Sequence, residues 1–245
     1  MTKQPSPIQR PGKLVPLVTE RIIEGIHAGV WPPGATLPNE AALCVQFGVS
    51  RTVIREAMRV LEEKGILDVV HGRGTSVADV ERWNLLDPMI VRALVSHDPT
   101  LRTVEQLQEL RASVESDLAG RAATALSEAD GLELVRLLGI MRDNVDDADA
   151  FIAADNELHD VVHRAADNPF ARYIVRITLS WIRSAPHSAP LARESLVASV
   201  ADHELLVEAL RQGDPDAASR VMRSLVLTSW ERRKPELLMR SESTS

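Results

Sequence analysis

From Leu14 to Ala28 the apolar residues Leu14, Leu17, Val18, Ile22 and Ile26 recur near a 3.6-residue period, which predicts an amphipathic helix. The run Trp31-Pro32-Pro33-Gly34 ends it with strong turn chemistry. Asn39 is a good N-cap for a short helix bearing Ala42, Leu43 and Phe47, which Gly48 closes. Ser50 caps a third helix, whose apolar stripe is Ile54, Ala57, Met58 and Leu61 and whose end is Gly65. Ile66–Val70 and Thr75–Ala78 are short β-type runs joined by His71-Gly72-Arg73-Gly74, a hairpin pattern. This order of elements is that of a winged helix-turn-helix. Beyond residue 80 the β signal ends. Helical patterns run through about 100–126, 128–142, 147–166, 171–184, 190–212 and 215–233, broken at Pro99, Pro169, Pro186, Pro190 and Pro215.

The predicted fold is therefore mainly α. A flexible arm (1–13) precedes a winged helix-turn-helix of three helices plus a β-hairpin wing (14–79). A linker helix (80–98) leads to an all-α antiparallel helical bundle (99–235), and a flexible tail (236–245) follows. The chain has 245 residues, 44% hydrophobic and 26% charged, an ordinary globular composition that argues against a disordered or collagen-like protein. No uncharged apolar run reaches about 18 residues, so no membrane partner is expected. A polar N-terminus without a signal-peptide pattern, and a single cysteine, Cys44, point to a reduced, cytoplasmic protein.

Charge changes the picture once it is divided. Residues 1–79 carry 9 Lys/Arg against 8 Asp/Glu, and residues 80–245 carry 19 against 27. DNA affinity comes largely from cations that displace condensed counterions. In this chain they must be concentrated on one face of the N-terminal part. Arg51, Arg55 and Arg59 meet that requirement: spaced four apart, they form one ridge opposite the apolar stripe of the third helix. Arg51 sits at a helix N-terminus, which already favours a phosphate. Thr52 can reach a base or a phosphate, and His71, Gly72 and Arg73 at the hairpin tip are placed for a minor groove. The plain alternative is a solvated basic face.

Leu37-Pro38-Asn39-Glu40, Phe47-Gly48-Val49-Ser50-Arg51-Thr52-Val53-Ile54-Arg55-Glu56-Ala57, Leu61-Glu62-Glu63-Lys64-Gly65 and Gly72-Arg73-Gly74-Thr75 resemble the GntR family of bacterial transcription regulators. The resemblance covers residues 14–78 and implies DNA contacts by Arg51, Thr52, Arg55, His71 and Gly72. Ala41 stands where the family usually has an arginine, so one expected DNA contact is missing.

The helical part carries polar residues where its periodicity predicts core. On the stripe Phe151, Ile152, Leu158, Val162 and Ala166, Asp155 falls at the centre and His159 beside it. His203 shares a stripe with Val200, Leu206 and Leu210. A buried carboxylate needs a partner, and Asp and His at four-residue spacing with a distant His suit a first-row divalent metal such as zinc. The alternative is a buried Asp155–His203 pair. His163, at the edge of the stripe, is expected to face solvent. Arg111, on the stripe of Leu107, Val114 and Leu118, either pairs with Glu115 at i,i+4 or meets a ligand carboxylate. Trp181 either packs in the core or walls a pocket.

Glu109-Leu110-Arg111, Asp155 to His159, Asp167-Asn168-Pro169, His203 and Gln212-Gly213-Asp214 resemble the FCD effector domain of the FadR subgroup. Many such domains hold a divalent metal with one Asp and three His. Asp155, His159 and His203 match, while Leu225 occupies the position of the last His, leaving three protein ligands. The segment Trp83-Asn84-Leu85-Leu86-Asp87-Pro88 resembles that of members responding to sugar acids. The resemblance thus implies a homodimeric regulator, a repressor, on a palindromic double-stranded operator. A small carboxylate effector would be held by the metal with Arg111, Asn168 and Trp181. A metal-dependent hydrolase and a metal-free acyl-CoA or dicarboxylate sensor are the competing readings. No catalytic motif accompanies the ligand set, so no enzyme is expected.

Overall fold

The computed structural model describes residues 14–70, 74–98, 100–183 and 192–243. Two compact units meet at the boundary between residues 98 and 99.

In the first unit, α1 (Leu14–His27), α2 (Glu40–Phe47) and α3 (Arg51–Glu63) precede a hairpin of β1 (Leu67–Val70) and β2 (Gly74–Val77). The caps explain the short helices. The Asn39 side chain accepts from the Ala42 N–H at 2.9 Å, and the Ser50 hydroxyl from the Val53 N–H at 3.4 Å. Gly48 closes α2 in the left-handed region. The strands pair antiparallel with Leu67 opposite Val77, and Thr36 adds a bridge to Ser76. Ile22, Ile23, Leu43, Ile54, Leu61 and Ile66 are fully buried in one core. Gly65 has φ +74°, and a Cβ there would lie 2.1 Å from the Arg82 carbonyl oxygen. Only glycine allows this close approach at the junction of α3 and the wing.

The linker helix observed is α4 (Pro88–Ser96), started by an Asp87 cap and Pro88. Its Ile90 and Ala93 join the core of the first unit, so this helix is packed rather than spanning.

The second unit holds α5 (Arg102–Ala125), α6 (Glu128–Asp143), α7 (Ala148–Ala165), α8 (Pro169–Arg183), α9 (Arg193–Gln212) and α10 (Pro215–Ser243). Helix α5 is central and packs on α7, α8, α9 and α10. The approach to α10 is close: a Cβ on Gly120 would meet the Ser219 hydroxyl at 2.4 Å. That hydroxyl donates to the Ser116 carbonyl at 2.9 Å. A core of Leu118, Leu134, Leu137, Leu158, Leu206 and Met222 fills the bundle. Residues 236–243, expected as a tail, continue α10 past Pro235, with Leu237 buried beyond it. Pro235 lacks the N–H that would reach the Glu231 carbonyl, so the helical ladder has a gap there. No helix among the described residues is long and apolar enough to cross a membrane.

Candidate functional sites

The amphipathic face of α3 is sharply divided. Val53, Ile54, Ala57, Met58 and Leu61 are buried, while Arg51, Thr52, Arg55 and Arg59 are exposed. Ser50 uses its hydroxyl to cap the helix that begins at Arg51, leaving the arginine side chain in solvent. Arg55 Nε lies 2.9 and 3.1 Å from the two carboxylate oxygens of Glu40. Arg59 pairs with Glu56 at 3.1 Å and with Glu63. Ion pairs this exposed contribute little, about 0–1 kcal/mol, so phosphates or bases can take these guanidiniums over. Ala41 is exposed at the start of α2, leaving a short neutral side chain beside Glu40. His71, Gly72 and Arg73 lie outside the described residues.

The second site is a cluster of polar side chains inside the bundle. Helix α7 carries Asp155, His159 and His163, α9 carries His203, and α5 carries Arg111 and Glu115. His203 Nε2 lies 3.1 Å from Asp155 Oδ1 and 3.4 Å from His159 Nε2. His203 Nδ1 is 2.7 Å from the Ser199 carbonyl, to which it donates. His159 Nδ1 is 2.8 Å from Glu115 Oε2, although its N–H does not point straight at that oxygen. Both Nδ1 atoms thus face acceptors, which leaves both Nε2 atoms as lone pairs beside a carboxylate. Three acceptors that converge in this way require a cation or a proton between them.

The charges follow the geometry. Burial pushes the Asp155 carboxyl up, but His203, His159 and Arg111 outweigh it and hold it at about 2. Burial pulls the His203 imidazole down, yet Asp155 and the Ser199 carbonyl hold it above its ordinary value. Glu115 is fully buried, which alone would raise it, but Arg111, His159 and His163 keep it well below the usual carboxylate range. The expected Arg111–Glu115 pair forms, and the alternative Asp155–His203 pair is present too.

Two groups of side chains could hold a metal ion, Asp155–His159–His203 and Glu115–His159–His163, each with its donor atoms within 4.8 Å of one another. They share His159 through opposite ring nitrogens. The second is more enclosed: all three residues are buried, Glu115 does not line the cavity, and it already binds the Arg111 guanidinium, whose charge opposes a metal. The first opens, through Asp155, onto a cavity of about 1280 Å³. Its donor set of one carboxylate and two imidazoles fits a first-row divalent ion. Leu225, at the position of a fourth ligand, lines the same cavity as an apolar wall.

Two expectations are corrected, and one alternative is decided. His163 is buried, not solvent-facing, and its Nε2 lies 3.1 Å from Glu115 Oε2, because α5 covers that edge of α7. Asn168 caps α8, accepting from the Ala171 N–H at 3.1 Å, and is not among the cavity-lining residues. Of the two alternatives for Trp181, packing holds: it is buried and also outside the lining. The tryptophan that does line the cavity is Trp230 of α10, and its buried Nε1 has no hydrogen-bond partner among the described residues. Gln108 Oε1 on α5 is in the same condition. Glu115, Gln108 and Trp230 escaped the sequence reading as site residues. The signal for the first two was the spacing of Gln108, Ala112, Glu115, Ala119 and Ala122, a polar-bearing stripe made inconspicuous by its alanines.

A recognition helix with an exposed cationic ridge in one unit and a polar cavity in the other define a class, a DNA-binding regulator with a helical sensor domain. Residues 17–77 match the bacterial regulatory proteins of the gntR family, and residues 106–228 match the FCD domain. The chain is 30% identical over 221 residues to the galactonate operon transcriptional repressor of Escherichia coli, covering 88% of this chain and 96% of that protein. It is 28% identical over 226 residues to the HTH-type transcriptional repressor NanR of Cronobacter sakazakii, covering 89% and 86%. A solved GntR family member from Pseudomonas syringae pv. tomato is similar in fold, with a TM-score of 0.50 at 17% identity, covering 97% of this chain and 92% of that one. The chain belongs to the GntR family of bacterial transcription regulators and carries an FCD effector domain. These relatives are regulators, not enzymes, which disfavours the hydrolase reading.

Proposed function

We propose that this protein is a metal-dependent repressor that binds a palindromic operator as a homodimer and responds to a small hydroxylated carboxylate, a sugar acid. The observation that carries the reading is the convergence of Asp155 Oδ1, His159 Nε2 and His203 Nε2 at the edge of a large cavity. A divalent cation, zinc by its ligand set, would supply a positive centre for the acid and its α-hydroxyl. Asp155, His159 and His203 would hold it, and Leu225 leaves coordination open to the effector. The wider lining supports an anion: six arginines against three aspartates face a cavity in a strongly acidic part of the chain. The similarity to a galactonate operon repressor supports the same class of effector.

Arg51, Thr52, Arg55 and Arg59 of α3 would read the major groove, with His71, Gly72 and Arg73 of the wing at the minor groove. A two-fold dimer presents two such helices to the two halves of a palindrome. The effector acts only through its differential affinity for the arrangements of the dimer with and without DNA.

The test is a thermal-shift panel of hexonates, uronates, dicarboxylates and acyl-CoA on the zinc-loaded protein, with and without chelator. Saturation at 100 times Kd stabilises by about 2.7 kcal/mol, enough to move the midpoint visibly. A sugar-acid shift lost with chelator and in His203→Ala is expected. An acyl-CoA shift indifferent to chelator would overturn the metal and move the protein to the metal-free reading.

A further inference from the structure

Of the arginines lining the cavity, three are matched by acids of the protein: Arg111 by Glu115, Arg172 by Asp160 at 2.8 Å, and Arg232 by Asp202 at 2.7 Å. Arg176 is exposed and lies over the Tyr173 ring, 5.2 Å from its centroid. Arg183 and Arg233 differ. Arg183 donates only to the neutral Asn156 amide oxygen, and Arg233 has no ion pair among the described residues. Burial pulls the Arg233 guanidinium below its ordinary value, and repulsion from Arg111 and Arg183 adds to this, against partial relief from Glu236 and Asp155. Two guanidiniums on different helices, α8 and α10, thus face the same space within Coulombic reach of each other. A partly buried cation beside other cations is unfavourable unless an anion joins it. Asp155, at the metal group, is also within that reach, so a compact molecule can engage both ends.

The same lining also holds two buried polar atoms without partners among the described residues. Trp230 Nε1 is a donor and Gln108 Oε1 an acceptor. A hydroxyl both gives and accepts, so hydroxyls satisfy the two.

We propose that the effector carries a second anionic group, taken by Arg183 and Arg233, so that the preferred ligand is a hydroxylated dicarboxylate rather than a hydroxylated monocarboxylate. This rests on the acid-sensing reading of the cavity and goes further by fixing the far end of the ligand. Arg111, which Glu115 already neutralises, is not needed for this second anion. The guanidinium fork suits a planar carboxylate and a phosphate alike, so the shared requirement is an anion at the end remote from the metal.

Calorimetric titration of the zinc-loaded full chain with a hexarate, the matching hexonate and the 6-phosphohexonate tests it. The hexarate is expected to bind at least about 5-fold more tightly than the hexonate, as for an ion pair at a partly exposed site. In the Arg183→Met/Arg233→Met double variant the ratio should fall to near one, with the hexonate affinity little changed. Arg233→Lys keeps the charge without the fork, guards against loss of folding, and should give an intermediate ratio. A tighter 6-phosphohexonate would support the second anion and assign it to phosphate. Equal affinities of hexarate and hexonate, or a preference that survives in the variants, would overturn the second anion and leave the metal-dependent acid reading standing. Failure of all three acids to bind would overturn both.

Discussion

Arg55 and Arg111 each face a glutamate of their own chain, Glu40 in the first unit and Glu115 in the second. In the first pair the side chains are 67% and 42% exposed, and in the second 15% and 0%. Water screens the first, so the pair steadies Arg55 without committing it and leaves it available to DNA. In the second, Glu115 is out of water and Arg111 nearly so, and two imidazoles complete the shell of Glu115. The same pairing of residue types thus serves two ends: a surface contact that can be exchanged, and an internal brace that cannot. In the sensor the brace also turns His159, so that Nδ1 meets Glu115 and Nε2 faces Asp155 and His203.

The contrast can be broken from either side. The largest effect is expected from removing what the exposed arginines do for DNA. Arg51→Ala with Arg55→Ala should weaken operator binding by about 2–6 kcal/mol, at about 1–3 for each arginine that reads a guanine. The salt slope should fall by about one for each phosphate no longer neutralised. Fluorescence anisotropy at several salt concentrations measures both, and unchanged affinity and slope would remove α3 from the interface.

Breaking the buried pair comes next. Glu115→Gln leaves the Arg111 charge unmatched and should destabilise the second unit by about 3–5 kcal/mol in denaturant unfolding. Zinc affinity, read by chelator competition on the folded fraction, should drop by about 10–100-fold, since His159 loses its orienting carboxylate.

A smaller effect concerns the Lys64–Asp87 pair, intermediate in exposure. Burial pushes the Asp87 carboxyl up, but Lys64 and the Met89 and Ile90 N–H groups outweigh this and hold it below its ordinary value. Its contribution is therefore fully present above the unfolded carboxylate pKa of about 3.9. It is lost as pH falls through the lower folded value. Asp87→Asn should cost about 1 kcal/mol at neutral pH and flatten this part of the acid-side stability curve.

The smallest change is expected for Glu40→Gln, under about 1 kcal/mol in stability. A loss as large as that of Glu115→Gln would show that exposure does not separate the two pairs.

Much of the fold was legible because its signals are local. Asn39, Ser50 and Gly48 each declare a helix end through groups one to three residues away. The clustering of Asp155, His159 and His203 was legible for the same reason in part: Asp155 and His159 share a turn, and His203 stands out on an apolar stripe. What failed depended on neighbours distant in sequence. The buried arc of α7 extends through Val161, Val162 and His163 because α5 and α6 both pack on it. A single stripe cannot anticipate that width. On α5 the alanines that admit α10 hid the phase of the helix, placing Glu115 outside the expected site. Trp181 was singled out and Trp230 was not, because spacing does not specify which helix walls the cavity.

Pro235 has a temporal consequence. The break it makes in the α10 ladder falls two residues after Arg233 and two before Leu237, both of which line the cavity. Beyond it, the helix is held by side-chain packing with one backbone bond fewer, so that end can open without unfolding the rest. Amide exchange protection should therefore step down across residue 235, and one wall of the cavity should open and close on a faster clock than the bundle that supports it.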